Sequence, residues 1–424
     1  MFEQQYRQRL ERDLLRWQAD GVITSSSGSA IRATLGPAPK GVDLATSVAI
    51  VGGLFISAAF LAFVAANWSE IARPARFVIL LVGIVAAYAL GAAFDRRGRA
   101  ILADLCVTTG SVVFGAAIAL TGQMYHLGGD FSDGMALWAI GALAAAALTG
   151  SRGALAVALT IGCVWHGSRV TEGTDVFYFP FVVFWFAGAA LALIWNAPVA
   201  RHLVSAAAIV SWAMVGAGLA DTPGAAHPVF ASQAGIALMF GLGILLSVAS
   251  PDDSGRSLGL TLSHYAAFAF AAALAVGIGI GSRPPAPTNL LASWAIICGA
   301  SGTLLAFLAA GLARGLGPAF GGAALALGLA AVAIASRSPV AGEAWLSYVL
   351  ALLAMLALLI SGMRDDARPR VMAGWMGLAA LIAVITWSVK GSLLRRAIFL
   401  AIAGGAAIVL AFVIGRQTKR RAAT

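Results

Sequence analysis

The stretch GQMYHLGGDFSDG, residues 122–134, gathers Gln123, Tyr125, His126, Asp130 and Asp133 between two long apolar runs. Its spacing is His-x3-Asp-x2-Asp. Imidazole and carboxylate groups at that spacing can ligate a cation. His126 paired with Asp130 can also move a proton as acid and base. A structural reading stands beside both. Backbone that leaves a helix near lipid must find hydrogen bonds. Gln123, Tyr125 and His126 can supply them, Gly128 and Gly129 permit a sharp turn, and Asp130 or Ser132 can cap the next helix.

A second polar cluster, ANWSEIARPAR, covers residues 66–76. Asn67 and Trp68 end an apolar run, where Trp favours the membrane interface. Pro74 suits a helix start. Arg73 and Arg76 are placed to meet the acidic 122–134 stretch or an anionic headgroup through charge-assisted contacts. Gln123, Tyr125, His126, Asp130, Asp133, Asn67, Arg73 and Arg76 are therefore the candidate substrate- or ion-binding residues. No residue is assigned a catalytic or a resident-metal role. P-loop, zinc-protease and nucleophile-elbow patterns are missing, so no cofactor is implied and no reaction is read.

The elements that must hold these residues follow from composition. The chain has 424 residues, 60% hydrophobic and 11% charged, with mean hydropathy +0.89. Soluble domains carry about 25% charged residues, so a water-facing surface is not built from this chain. Its apolar runs repeatedly reach the ~20 residues that a bilayer core requires. The expected fold is all-α: a polytopic transmembrane helical bundle of about fourteen spans. The runs are 44–66, 77–94, 101–121, 134–149, 153–168, 176–195, 203–220, 229–249, 260–281, 290–311, 316–335, 344–361, 371–388 and 396–415. The fourth and fifth are short.

Three parts are expected: a hairpin and linker over 1–43, a transmembrane domain over 44–415, and a basic tail over 416–424. Leu10, Leu14 and Trp17 recur at helical spacing, making an amphipathic first helix. Gly21 suits its C-terminus, and Thr24 to Ser27 cap a second helix around Ala30 to Leu35. The apolar stripe of this hairpin rests on the membrane surface, on the protein's own loops, or on a protein partner. Residues 1–43 are too polar for a cleaved signal peptide.

The net charge of +10 would suggest nucleic acid in a soluble protein. Here the basic residues cluster in short loops and at both ends, which serves membrane orientation instead. With both termini cytoplasmic, most of the 28 Lys and Arg fall on the inner side. The outer segments hold Arg73, Arg76, Arg169, Arg283, Arg337, Lys390, Arg395 and Arg396. This bias favours an even span count and puts residues 122–134 on the outer face. Cys106, Cys163 and Cys298 stand alone within apolar runs and read as buried small hydrophobes. Ionisable groups are nearly missing from mid-span, with Gln233 the clearest polar residue of a late span. That disfavours proton-coupled pumping without excluding it. Oligomeric state is not legible.

RWQADGVITSS, ANWSEIARPARF and GQMYHLGGDFSD together resemble a family of bacterial predicted membrane proteins, known as domain of unknown function number 2157. The resemblance spans roughly residues 8–150. It implies a bacterial inner-membrane protein and brings no substrate, reaction or cofactor. A transporter-like or lipid-handling permease is the first functional expectation. A membrane enzyme acting on a lipid or glycan, using His126 and Asp130, and a scaffold or sensor are its rivals.

Overall fold

The computed structural model describes residues 2–34, 52, 55, 71–126, 128–172, 178–219, 228–280, 293–336 and 345–388. The expected first and last spans, and Asn67, lie outside them. Two short helices open the chain: α1 (Phe2–Ala19) and α2 (Ser25–Thr34). Gly21 ends α1 with φ 71°, and Val22 N–H donates back to Trp17 O at 2.9 Å. Glycine adopts that left-handed turn without penalty. Thr24 Oγ1 accepts from Ser27 N–H at 3.2 Å, so α2 begins earlier than Ala30.

The long helices are α3 (Arg73–Arg96), α4 (Ala100–Tyr125), α5 (Phe131–Thr149), α6 (Arg152–Thr171), α7 (Phe179–Trp195) and α8 (Pro198–Leu219). They continue as α9 (Pro228–Ala249), α10 (Asp253–Ile280), α11 (Ser293–Ala313), α12 (Leu316–Ala335), α13 (Trp345–Arg364) and α14 (Arg368–Ser388). Each of these matches an expected span, and the two that looked short prove to be helices of 19 and 20 residues. Polar residues at their ends had hidden the terminal turns. The chain is a polytopic helical membrane bundle.

Consecutive helices pair as hairpins: α3/α4, α5/α6, α7/α8, α9/α10, α11/α12 and α13/α14. Their turns are tight, and Gly98, Gly150, Asn196, Arg314 and Asp366 take positive φ within them. A long helix joined to a packed neighbour by so short a turn must run antiparallel to it. All these tight turns therefore share one end of the bundle. Arg96, Arg97, Arg99, Arg152, Arg201, Arg256, Arg314, Arg364, Arg368 and Arg370 gather there. The end of α4, Asp130 and the start of α5 lie at the opposite end, with Arg73, Arg76 and Arg169.

Two apolar cores are strung along the bundle. The first holds Ala139, Leu155, Ala158, Trp165, Phe184 and Val204, from α5 to α8. The second holds Trp212, Phe240, Phe270, Leu325, Met355 and Leu358, from α8 to α13. Helix α8 feeds both, Val204 to one and Trp212 to the other. Lipid tails are as apolar as leucine, so helices associate here through close packing and interhelical hydrogen bonds. Glycine makes the closest approaches. Gly241 of α9 lies against the Gly302 carbonyl of α11, and Gly243 of α9 against Gly259 of α10.

Ten of the long helices are long and apolar enough to cross a membrane by length and composition. Helix α7 is a shorter apolar helix of 17 residues. Helix α6 carries His166 and Arg169, and its buried face, from Ala154 to Val170, meets protein. A helix sheltered by others tolerates polar groups that lipid would not. Cys163 and Cys298 are buried and Cys106 is half-buried, all as free thiols.

Polar groups near the tight-turn end lock the hairpins to one another. Asp104 of α4 accepts from Ser151 Oγ at 2.5 Å and from Gly153 N–H at 3.2 Å, at the start of α6. Ser151 Oγ in turn accepts from Ala154 N–H. Two free N–H groups at the positive end of the α6 dipole are thus met, Gly153 N–H by the carboxylate and Ala154 N–H by the hydroxyl that the carboxylate holds. Arg370 of α14 is buried and donates to Asp365 at 2.7 Å and Ser361 at 3.1 Å, clasping the α13/α14 turn. Gln233 of α9 is fully buried, and neither of its amide atoms has a partner among the described residues.

Candidate functional site

The 122–134 stretch closes α4 and opens α5. Helix α4 ends at His126, which adopts φ 51° and returns its N–H to Gly122 O. Asp130 occupies the position before α5 in extended conformation, and its carbonyl accepts from Asp133 N–H at 3.1 Å. Its carboxylate makes no cap hydrogen bond. The expectation that Asp130 or Ser132 caps α5 with a side chain is therefore corrected. Ser132 is instead fully buried inside the first turn, donating to Glu172 Oε2 at 3.4 Å.

Asp133 has a different partner from the one expected. Arg169 of α6 grips its carboxylate, donates to Glu172 at 3.4 Å, and lies 5.8 Å from the Tyr178 ring centre. Asp133, Arg169, Glu172 and Ser132 thus form one charge-assisted network. It ties the first turn of α5 to the last turn of α6 and the approach to α7. Arg169, Glu172 and Tyr178 were not among the sequence candidates as a site.

Arg73 and Arg76 sit at the start of α3. Arg73 is exposed, with Pro74 beside it in the first turn. Arg76 Nε donates to Ile71 O at 2.6 Å, fastening the chain that enters α3.

A groove of about 900 Å³ runs between α3, α4 and α5. Its walls include Phe77 and Ile84 of α3, Phe114 and Ile118 of α4, and Leu137 of α5. Gln123, Asp130 and Asp133 stand at its mouth. The structure therefore brings three of the sequence candidates together on one cavity. It leaves Tyr125 and His126 exposed and outside that lining. His126 and Asp130 do not share the groove, which weakens their reading as an acid–base pair. No group of three or more His, Cys, Asp or Glu side chains with metal-holding geometry occurs among the described residues.

His166 of α6 is buried beside the first core. Its ring stacks on Phe181 with centroids 4.4 Å apart. His227 lies outside the described residues.

Chemically, the groove suits a long apolar body with a polar end. Its walls are aliphatic and aromatic. Its mouth offers one amide and two carboxylates, mainly acceptor groups that meet N–H or O–H donors.

Residues 15–155 match the family described as Predicted membrane protein (DUF2157). That region runs from the second half of α1 to the start of α6 and contains the whole groove. The resemblance read from the three sequence motifs holds over it. No curated protein and no solved structure matches the chain.

Proposed function

We propose that this protein is a lipid-handling permease of the bacterial inner membrane, and that the groove between α3, α4 and α5 receives its amphiphile. The tight-turn end faces the cytoplasm, with both chain termini, and the groove mouth faces outward. The basic residues crowded at the tight-turn end support that orientation.

One observation carries the reading: an apolar groove whose mouth is lined by Gln123, Asp130 and Asp133. A tail moving from lipid into this groove leaves one hydrocarbon for another. Little hydrophobic free energy is gained, so selectivity rests on packing and on the polar end. Arg169 neutralises part of the acidic mouth by holding Asp133. Asp130 remains as an exposed carboxylate. An amphiphile with an amine or sugar headgroup presents the donors that this mouth accepts.

The test is photolabelling in nanodiscs by an aminophospholipid carrying a diazirine in its tail, with sites mapped by mass spectrometry. Labelling is expected on α3, α4 and α5. It should fall in Ile84→Trp, which fills the groove, and in Asp130→Lys, which reverses the mouth's charge. Equal labelling of wild type and Ile84→Trp would overturn the proposal.

A further inference from the structure

A second cavity, of about 260 Å³, lies where the two apolar cores meet, between α6, α7, α8, α9 and α11. Its lining includes His166, Tyr178, Trp185, Phe186, Trp212 and Leu242. We propose that it is a binding site for one acyl chain of a membrane phospholipid, held as a structural lipid between the two cores. This does not rest on the groove reading and stands if the groove binds nothing.

Polarity is the first argument. Two polar groups of the wall are satisfied within the protein. Trp185 Nε1 donates to Val204 O at 3.1 Å, and Ser211 Oγ to Ala208 O at 2.8 Å. The rest of the lining is mostly aliphatic and aromatic carbon. Apolar cavities of this kind stay dry and take hydrocarbon, and one of ~150 Å³ accepts a benzene. By that proportion the present volume takes a segment of roughly ten carbons.

Depth is the second. Tyr178 immediately precedes α7, at the end of the bundle that carries the 122–134 stretch. Phe186 lies about 11 Å farther along α7, at 1.5 Å per residue. Leu242 lies about 21 Å from the start of α9. A single leaflet contributes about 15 Å of hydrocarbon. The cavity thus runs from the interface to a little past the bilayer centre, the reach of one acyl chain.

Access is the third. Phe186 lines the cavity and is also 57% exposed, so the cavity reaches the lipid-facing surface of the bundle. At its outer rim Arg169 lies over the face of Tyr178, where a headgroup emerges into the interface. The two cores are joined by α8, with Ala208, Ser211 and Trp212 on the cavity wall. A bound chain fills the seam that side chains leave open there.

Tryptophan fluorescence of the full chain in nanodiscs tests this. The probe is phosphatidylcholine brominated halfway along its chains, and Trp185 and Trp212 both line the cavity. Trp185→Phe is expected to remove a component whose quenching saturates at low brominated fraction, as a held chain requires. A photoreactive acyl chain in the same lipid should label α7, α8 and α9. In Ala208→Leu, and separately in Leu305→Phe, that labelling should drop about tenfold, equivalent to ~1.4 kcal/mol. Labelling of α3–α5 should be unchanged in both variants, which separates this site from the groove. Quenching of Trp185 that rises only in proportion to bulk lipid would overturn the proposal. So would undiminished α7–α9 labelling in the folded variants. Displacement of the acyl label by a ring-bearing lipid such as a quinone, but not by phosphatidylcholine, would overturn it as well.

Discussion

Asp133 at the first turn of α5 is held by Arg169 at the last turn of α6, and the two are equidistant in sequence from Ser151 in the turn between them. The α5/α6 hairpin is thus closed at one end by its turn and at the other by charge. Asp133 is 66% exposed, while Arg169 is only 17% exposed and also serves Glu172. Asp133→Asn should cost about 0.2–1 kcal/mol, the range of exposed pairs. Arg169→Met should cost more, because it breaks the contacts to Asp133 and Glu172 together and removes the cation from Tyr178. Unfolding in mixed micelles, run as a double-mutant cycle, measures both. A coupling energy of zero would show that the pair holds nothing.

Asp104 should matter more than its position near a helix start suggests. It meets the Ser151 hydroxyl and the Gly153 N–H at once, so Asp104→Ala takes the acceptor from both and leaves Ser151 Oγ as the one cap of α6. The expected loss is about 1–2 kcal/mol. Asp104→Asn keeps an acceptor and should lose less. The same micelle unfolding gives the order. Equal losses in the two variants would mean that hydrogen bonding to this side chain contributes little.

The α9–α11 contact tolerates no side chain at its closest point. A Cβ on Gly302 would run into the backbone of Ala237 and Leu238, with Leu238 N at 2.6 Å. Backbone cannot rotate away, so Gly302→Ala must push the helices apart, at about 1–3 kcal/mol. Gly311, on the same helix, has nothing within 4 Å. Gly311→Ala should be neutral or gain up to ~1 kcal/mol of helix propensity. Comparing monodisperse yield and unfolding midpoints of the two variants checks the contrast.

The spans were legible because hydrocarbon thickness forces long apolar runs, and helices from α3 to α14 stand where such runs lie. Their ends were less legible. Arg152 and Thr171 belong to α6, yet their polarity makes them look like loop; they are the exposed first and last residues of that helix. The groove mouth was half legible. Gln123, Asp130 and Asp133 stand out because polar residues collect where a chain leaves lipid. Arg169 is far away in sequence and looked like one more interfacial cation. Two helices of 19 and 20 residues about a tight turn already imply that Asp133 faces Arg169. That symmetry was the signal, and it needed the helix ends to be right. The acyl-chain cavity had no sequence signal. Aromatic residues on α7 look the same whether they pack on protein or leave a space.

Orientation can be read with a membrane-impermeant thiol reagent, since the native cysteines are buried or half-buried within the bundle. Asp130→Cys should be labelled from outside intact cells. Gly98→Cys, in the α3/α4 turn, should be labelled only after the cells are opened. The reverse pattern would place the basic turns outside and remove the basis for an outward groove.

His126 separates backbone geometry from chemistry. Its φ of 51° is a left-handed conformation that costs a non-glycine residue about 1–2 kcal/mol. His126→Gly relieves that cost and should leave stability unchanged or raise it by up to ~1 kcal/mol, after glycine's own chain entropy is subtracted. His126→Val, with a β-branched side chain in the same turn, should destabilise the α4 end. Since His126 lies outside the groove lining, His126→Gly should label with the photoreactive aminolipid as the wild type does. Loss of labelling in a His126→Gly protein of full stability would make the imidazole itself part of ligand recognition. The acid–base reading with Asp130 would then regain its footing.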